Sequence, residues 1–374
     1  MTLRTPWAAI AAVFILNGAL FGIWASRVPA VAEAYGLTHT RLGFLLLALA
    51  AGAVCSFPIA GKAIDRFGAV TVTRLIALAY PVTLILLPLS PNALTLGAAL
   101  FLFGAAHGAM DVAMNGWGAE VERRSGRRMM SSFHAMFSFG AGMGALSGYL
   151  AVQVDMGLLA HFAIASLVIC AVTLPFATIP WVSGTTQSRN TSVFAFPSGT
   201  LLLVGIVAFC SSLGEGAMAD WSAVYLRDVV LAQESTAALG YAAFSIAMVV
   251  IRLLGDTIAT RLGAVQTARL GGGISFVGVT LAILVPSAPA VLAGFAMLGM
   301  GYAVIMPLAF GRAANDPDIP PGQAISSVAT IGYGGMLLGP PIIGFVAGGT
   351  SLQVAFGVLA VLAGLIVFFA SALK

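Results

Sequence analysis

Twelve apolar runs, each close to the length of about 20 residues that a helix needs to cross hydrocarbon, leave this chain few possible folds. Cutting at Gly, Pro and charge clusters places them near 7–26, 41–60, 70–89, 93–116, 131–152 and 157–180, then near 199–219, 237–255, 265–286, 290–311, 323–346 and 352–372. The polar stretch SGTTQSRNTS at 183–192 separates the two sets. Charged residues make up 8% of the chain, where a soluble domain carries roughly a quarter. A surface this apolar suits a bilayer and not water, so an all-α polytopic membrane protein with 12 transmembrane helices is expected. The run Trp7–Trp24 follows a single arginine, Arg4, and has no small-residue cleavage site, so it reads as the first span and not as a removed signal. Cys55, Cys170 and Cys210 lie inside apolar runs without metal-ligand spacing and read as small buried hydrophobes.

Lys and Arg set the orientation. With the N-terminus inside, fourteen of them fall on one side: Arg4, Lys62, Arg66, Arg74, Arg123, Arg124, Arg127, Arg128, Arg189, Arg252, Arg261, Arg269, Arg312 and Lys374. Only Arg27, Arg41 and Arg227 fall on the other. Both termini and the central linker are therefore expected in the cytoplasm. The net charge of +4 is topological and argues against nucleic acid as a partner. The chain also repeats itself. At an offset of 195, Arg66 matches Arg261, Gly68 matches Gly263, Gly104 matches Gly299, and Gly140 and Gly144 match Gly335 and Gly339. At 197, Trp24 matches Trp221. Two pseudo-symmetric six-helix bundles follow, residues 1–180 and 199–374, joined by a linker over 181–198.

Between spans 2 and 3 the chain reads GKAIDRFG, in which Gly61, Asp65, Arg66 and Gly68 fit G-x-x-x-D-R-x-G. With twelve spans in two halves, this motif resembles the major facilitator superfamily (MFS). The copy at 255–263 departs from it: Asp256 follows Gly255 directly, and Thr260 replaces the Asp before Arg261. DVAMNGWGAEVERRSGRRMMSSFHAMFSFG at 111–140, GEGAMADWSAVYLRD at 214–228 and GYGGMLLGPPIIGF at 332–345 are similar to the YbjJ-like branch, distantly related to the fucose permeases. The resemblance implies alternating access, with two halves rocking about a midplane cavity lined mostly by spans 1, 4, 7 and 10. For Gly61, Asp65, Arg66 and Gly68 it implies a conformational gate, with the lock stronger in the first half.

Ionisable groups in hydrocarbon are costly, so each one is a functional candidate. His107, Asp111 and Asn115 on span 4 are spaced i, i+4, i+8 and share one helical face. That face serves either a polar network between helices or a solute and proton site. Asp111 is the sharpest candidate for handling protons. His134 enters span 5 at a comparable depth and is a second proton candidate, or a histidine bonded to a helix neighbour. Glu215, in the outer part of span 7, is the third, against a role in packing or a surface pair. Asn17 on span 1 joins His107 and Asn115 as a candidate for solute binding. Arg252 and Asp256, at i, i+4 on span 8, are expected to pair near the cytoplasmic face as a gate. Gly140, Gly144 and Gly148, with Gly335, Gly339 and Gly344, offer small-residue faces for close packing. Pro340-Pro341 is expected to kink or interrupt span 11.

The chain has no G-x-S-x-G, H-E-x-x-H or G-x-x-x-x-G-K-[ST] motif, so neither catalysis nor direct use of ATP is expected. No cofactor or metal is implied. The expected partners are a small-molecule solute, protons and membrane lipids, with the chain acting as a monomer. The reading is a secondary transporter in a bacterial cytoplasmic membrane, importing a small polar, sugar-like solute with protons. Two alternatives stay open: proton-driven efflux of amphipathic compounds, and a non-transporting sensor or lipid mover on the same scaffold. A reporter fused after Arg189 is expected to score as cytoplasmic; a periplasmic score reverses the orientation.

Overall fold

A computed structural model of the protein describes residues 5–126, 129–184, 199–319 and 321–374. The side chains of Asp256, Pro321, Gln323 and Ser326 lie outside the described residues, as do Arg4, Arg127, Arg128, Arg189 and most of the linker. The chain divides into two compact units, Met1–Gly36 with Leu45–Thr191, and Leu37–Phe44 with Ser192–Lys374. The first contains α1 (Pro6–Ala34), most of α2 (His39–Phe67), α3 (Ala69–Leu86), α4 (Ala93–Ser125), α5 (Met130–Gln153) and α6 (Leu158–Ala177). The second contains α7 (Thr200–Asp228), α8 (Glu234–Leu262), α9 (Ala264–Leu284), α10 (Ala288–Tyr302), α11 (Ile305–Ala314), α12 (Pro321–Gly349) and α13 (Leu352–Phe369). Among the described residues, twelve helical spans are long and apolar enough to cross a membrane, α10 and α11 together making one of them.

Local chemistry sets the helix ends. Thr5 caps α1 by accepting from the Ala8 amide, with Pro6 just inside the helix, where its missing N–H costs nothing. Asn92 and Thr95 form a reciprocal capping box at the start of α4. Glu122 Oε2 accepts from the amides of Met129 and Met130, at 2.6 and 3.0 Å, and so caps α5 from the end of α4. The last glycine of each copy of the signature has the same backbone shape: Gly68 at φ 80° and Gly263 at φ 78°. Each one ends a helix and starts the next without a spacer, at a φ that a side chain would strain.

The repeat seen in the sequence reappears as repeated packing. Gly104 of α4 lies against the Leu49 carbonyl of α2, and Gly299 of α10 lies against the Phe244 carbonyl of α8. Both partners of each contact stand 195 positions apart. Gly140 and Gly144 of α5 meet the carbonyls of Ile15 and Ala19 on α1 in the same way. Gly335 and Gly339 of α12 meet those of Phe209 and Leu213 on α7. A side-chain carbon at any of these six glycines would run into backbone. Lipid tails are as apolar as Leu, so helices inside a bilayer gain little from burying apolar surface; close backbone packing takes that role.

Several sequence expectations need correction. The Pro340-Pro341 pair does not interrupt its span, because α12 is helical through both. The Met336 carbonyl, which Pro340 cannot serve with an N–H, packs against Gly216 of α7, and the Pro340 carbonyl accepts from Trp221 Nε1 at 2.8 Å. The break falls instead at Ala303–Val304, between α10 and α11. Pro307, two residues into α11, has no N–H for the Ala303 carbonyl, and its ring crowds that oxygen. Spans 1 and 7 run past the expected ends to Ala34 and Asp228. Only Cys210 is buried; Cys55 is exposed on α2, so its apolar neighbours do not enclose it within the protein.

The linker does not begin free at residue 181. Trp181 Nε1 and Ser183 Oγ both donate to Glu120 Oε2, at 3.0 and 2.8 Å, and Ser183 Oγ accepts from the Val70 amide at the start of α3. Arg124 lies over the Trp181 ring at 4.3 Å and donates to the Val182 carbonyl. Arg74 donates to the carbonyls of Ala177 and Ile179. These bonds strap residues 181–183 across the helix ends of the first unit.

Replacing Gly104 by Ala is expected to destabilise the protein by about 1–3 kcal/mol in detergent thermal unfolding, since backbone must move to admit the methyl group. Replacing Gly357, which has open space around it, is expected to be neutral or mildly stabilising. Equal stability of the two variants would remove close backbone approach as the basis of packing.

Candidate functional site

In the first unit the polar face of α4 is where its spacing puts it. Asn115 Nδ2 donates to the Asp111 backbone carbonyl at 2.8 Å and to Asp111 Oδ1 at 3.2 Å, so the two side chains form one group along the helix. Asp111 is the nineteenth of 33 residues of α4, well inside the span. From α1, Asn17 is fully buried and approaches the same stretch: its Nδ2 contacts Met114 Sδ at 3.5 Å, while its Oδ1 has no hydrogen-bond partner. A buried amide oxygen without a partner is costly and points to a ligand or water at that spot. The structure thus brings Asn17 to Met114, on the stretch of α4 that also carries Asp111 and Asn115.

His107, one turn before Asp111, sits in an aromatic enclosure. Its Nδ1 lies 2.9 Å from the Tyr80 hydroxyl, and its ring stacks on Phe21 at 4.6 Å, with Phe137 at 6.3 Å. That wall is more apolar than the candidate role in solute binding suggested. His134 of α5 meets Phe14 edge-on at 5.4 Å. Of the gate residues, Arg66 lies over the neighbouring Phe67 ring at 5.1 Å, and Gly68 forms the turn into α3; Gly61 has open space around it.

In the second unit Glu215 and Arg252, separate candidates in the sequence, meet. Arg252 Nη2 is 3.3 Å from Glu215 Oε2, with the two side chains 10% and 16% exposed. The side chain of Asp256, the expected partner of Arg252, lies outside the described residues. Because α7 continues to Asp228, Glu215 is sixteenth of its 29 residues and stands mid-helix rather than in its outer part. Glu215 Oε1 has no hydrogen-bond partner. Tyr241 from α8 and Tyr302 from the end of α10 lie within electrostatic range of Glu215. The Tyr302 ring packs onto Gly214, its hydroxyl is buried without a partner, and its carbonyl accepts from Ser211 Oγ at 3.4 Å.

Sequence reasoning passed over Tyr241 and Tyr302, although Tyr302 stands just before the Pro307 break, a usable signal. It also passed over His39. Its Nε2 lies 2.9 Å from Asp228 Oδ2, Arg227 Nε donates to Asp228 Oδ1 at 2.8 Å, and the His39 ring lies edge-on to Trp221. Among the described residues, no group of three His, Cys, Asp or Glu is placed to hold a metal ion. Two pairs of ionisable or amide side chains inside apolar spans, each with an unpartnered oxygen nearby, suit reversible binding of a polar solute and not bond-making chemistry.

The model of the Major Facilitator Superfamily matches residues 8–318. The chain is 46% identical over 373 residues to the uncharacterized transporter y4wD of Sinorhizobium fredii, covering 100% of this chain and 99% of that one. It is 38% identical over 350 residues to an uncharacterized MFS-type transporter of Yersinia pestis, covering 93% and 91%. Among solved structures, a variant of the nucleoside transporter NupG superposes with a TM-score of 0.73 at 16% identity, covering 99% of this chain and all of that one, a likeness of fold alone. This multi-pass chain therefore belongs to the Major Facilitator Superfamily and is a membrane transporter, not an enzyme.

Proposed function

We propose that the chain is a proton-coupled symporter of a small polar, sugar-like solute, working by alternating access in a bacterial cytoplasmic membrane. In this reading both termini are cytoplasmic, the protein acts as a monomer among membrane lipids, and its branch is the YbjJ-like one. The observation that carries the reading is the mid-helix position of two carboxylates, Asp111 on α4 and Glu215 on α7, inside otherwise apolar spans. A carboxylate held there has its protonation set by whatever sits beside it, which is the property that coupling needs. Asp111, Glu215 and His134 take the proton roles; Asn17, His107 and Asn115 shape the solute site. The turn of Gly61, Asp65, Arg66 and Gly68, with Arg252 and Asp256, makes up the gate.

The aromatic enclosure of His107 favours a second reading, proton-driven export of an amphipathic compound. Flux measured in sealed vesicles of both orientations separates the two: symport runs down an imposed proton gradient, and export runs against it. Asp111→Asn is expected to abolish gradient-driven uptake, by 10-fold or more on the order of a lost proton step, while leaving solute counterflow intact. Unchanged uptake in that variant removes Asp111 from proton coupling.

A further inference from the structure

The break between α10 and α11 is held against α7 close to Glu215. On one side of it, the Tyr302 ring packs onto Gly214, where a side-chain carbon would run into it, and the Tyr302 carbonyl accepts from Ser211 Oγ at 3.4 Å. On the other side, Met306 Sδ accepts from Ser212 Oγ at 3.4 Å. Tyr302 is fully buried, and its hydroxyl has no hydrogen-bond partner. The repeat explains why that hydroxyl is left over. Tyr302 stands 195 positions after His107, in the register of Gly104 and Gly299. His107 has the Tyr80 hydroxyl at 2.9 Å, but the residue 195 positions after Tyr80 is Ser275, a shorter side chain whose Oγ is also without a partner. Glu215 has the complementary lack: Oε2 lies 3.3 Å from Arg252 Nη2, while the buried Oε1 accepts nothing. A buried donor and a buried acceptor are each costly when left unbonded.

Two tyrosines lie within electrostatic range of Glu215, but the Tyr241 hydroxyl is already bonded to Ser245. The other ionisable groups beside these residues are Arg252 on α8, and Asp220 and Cys210 on α7; the side chain of Asp256 on α8 lies outside the described residues. Neither α12 nor α13 carries a charged residue, and Arg312 of α11 bonds to Asp316 at 3.0 Å. We propose that Tyr302 is the second partner of Glu215: on taking up a proton, the Glu215 carboxyl turns from Arg252 to the Tyr302 hydroxyl, which donates to its carbonyl oxygen. Tyr302 is thus a positioning residue, and the inference rests on the reading of Glu215 as a proton-coupling group. The proton comes from water onto one Glu215 oxygen, and Tyr302 keeps its own. Neutralising the carboxylate removes most of its attraction to the guanidinium, while a buried neutral carboxyl still needs hydrogen bonds. Arg252 interacts with more than Glu215, so the turn does not strand its charge. The proton therefore moves a bond from α8 to the last residue of α10, at the edge of the helix break. Proton uptake in the middle of α7 acts in this way on a place where the neighbouring span is already interrupted.

Infrared difference spectra of the purified full-length protein between about pH 5 and about pH 8 test this. The wild type is expected to show a carboxylic-acid C=O band that Glu215→Gln removes. Tyr302→Phe keeps the ring and removes the donor, so the band is expected at higher frequency, because a carbonyl without a hydrogen bond is stiffer. Gly214→Ala, which pushes the ring off α7, is expected to do the same, and Tyr241→Phe to leave the band in place. A band at the wild-type frequency in Tyr302→Phe overturns the proposal, as does a shift produced by Tyr241→Phe alone. Should these variants fail to fold, wild type carrying ring-deuterated tyrosine serves. A tyrosine C–O band is expected to change with the same pH midpoint as the carboxyl band, and its absence overturns the proposal. If no band belongs to Glu215 over this range, the proton-coupling reading fails and this inference with it. If the band is present and unmoved, only the role of Tyr302 fails.

Discussion

Contact between helix backbones holds this protein together. In water, apolar side chains would drive association; in a bilayer they are as comfortable against lipid as against one another. What distinguishes a packed pair of helices is how closely their backbones approach. Gly140 and Gly144 on α5 and Gly335 and Gly339 on α12 allow that approach against carbonyls of α1 and α7. Those two helices carry Asn17 and Glu215. Asn17 and Glu215 are thus mounted on closely gripped helices of their units, which holds each polar group in one place.

Charge inside the membrane then shapes what such a site can do. The first unit contributes hydrogen-bonding groups, with Asn115 bound to Asp111 along α4 and Asn17 arriving from α1. The second contributes a full ion pair between α7 and α8, in which the carboxylate has one engaged oxygen and one unengaged. The repeat therefore reproduces the packing without reproducing the chemistry. Gly104 and Gly299 occupy equivalent positions, while Glu215 has no acidic counterpart on α1. Duplicated halves can keep a common framework under the same steric demands while their polar residues diverge, since few of those residues are needed to hold the helices together.

Several features of the site were legible before any coordinates. The i, i+4, i+8 stack on α4 needed only helical spacing, and Glu215 and Arg252 stood out because ionisable residues are rare in apolar runs. The bond between them was not legible, since they are 37 positions apart on different helices. A local i, i+4 partner was the natural guess for Arg252. The helix break was misplaced for a related reason: two prolines at 340–341 looked decisive, but α12 stays helical through both, with the Met336 carbonyl packed against Gly216 of α7, while the single Pro307 stands just after the break.

The sequence by itself determined the number of spans, the two-unit repeat and the family signature, including the glycines that turn α2 into α3 and α8 into α9. These properties are written along the chain, as hydropathy over about 20 residues, as charge, or as a φ that only glycine tolerates. Only the tertiary structure decided which polar groups meet, because each residue turns a helix face by about 100° and partners depend on the rotation of two helices at once. It also decided that Glu215 stands mid-helix beside Arg252, that Tyr302 closes in on Gly214, and that Trp181 and Ser183 are strapped down by Glu120. Each of those contacts joins distant parts of the chain, and no local pattern encodes it.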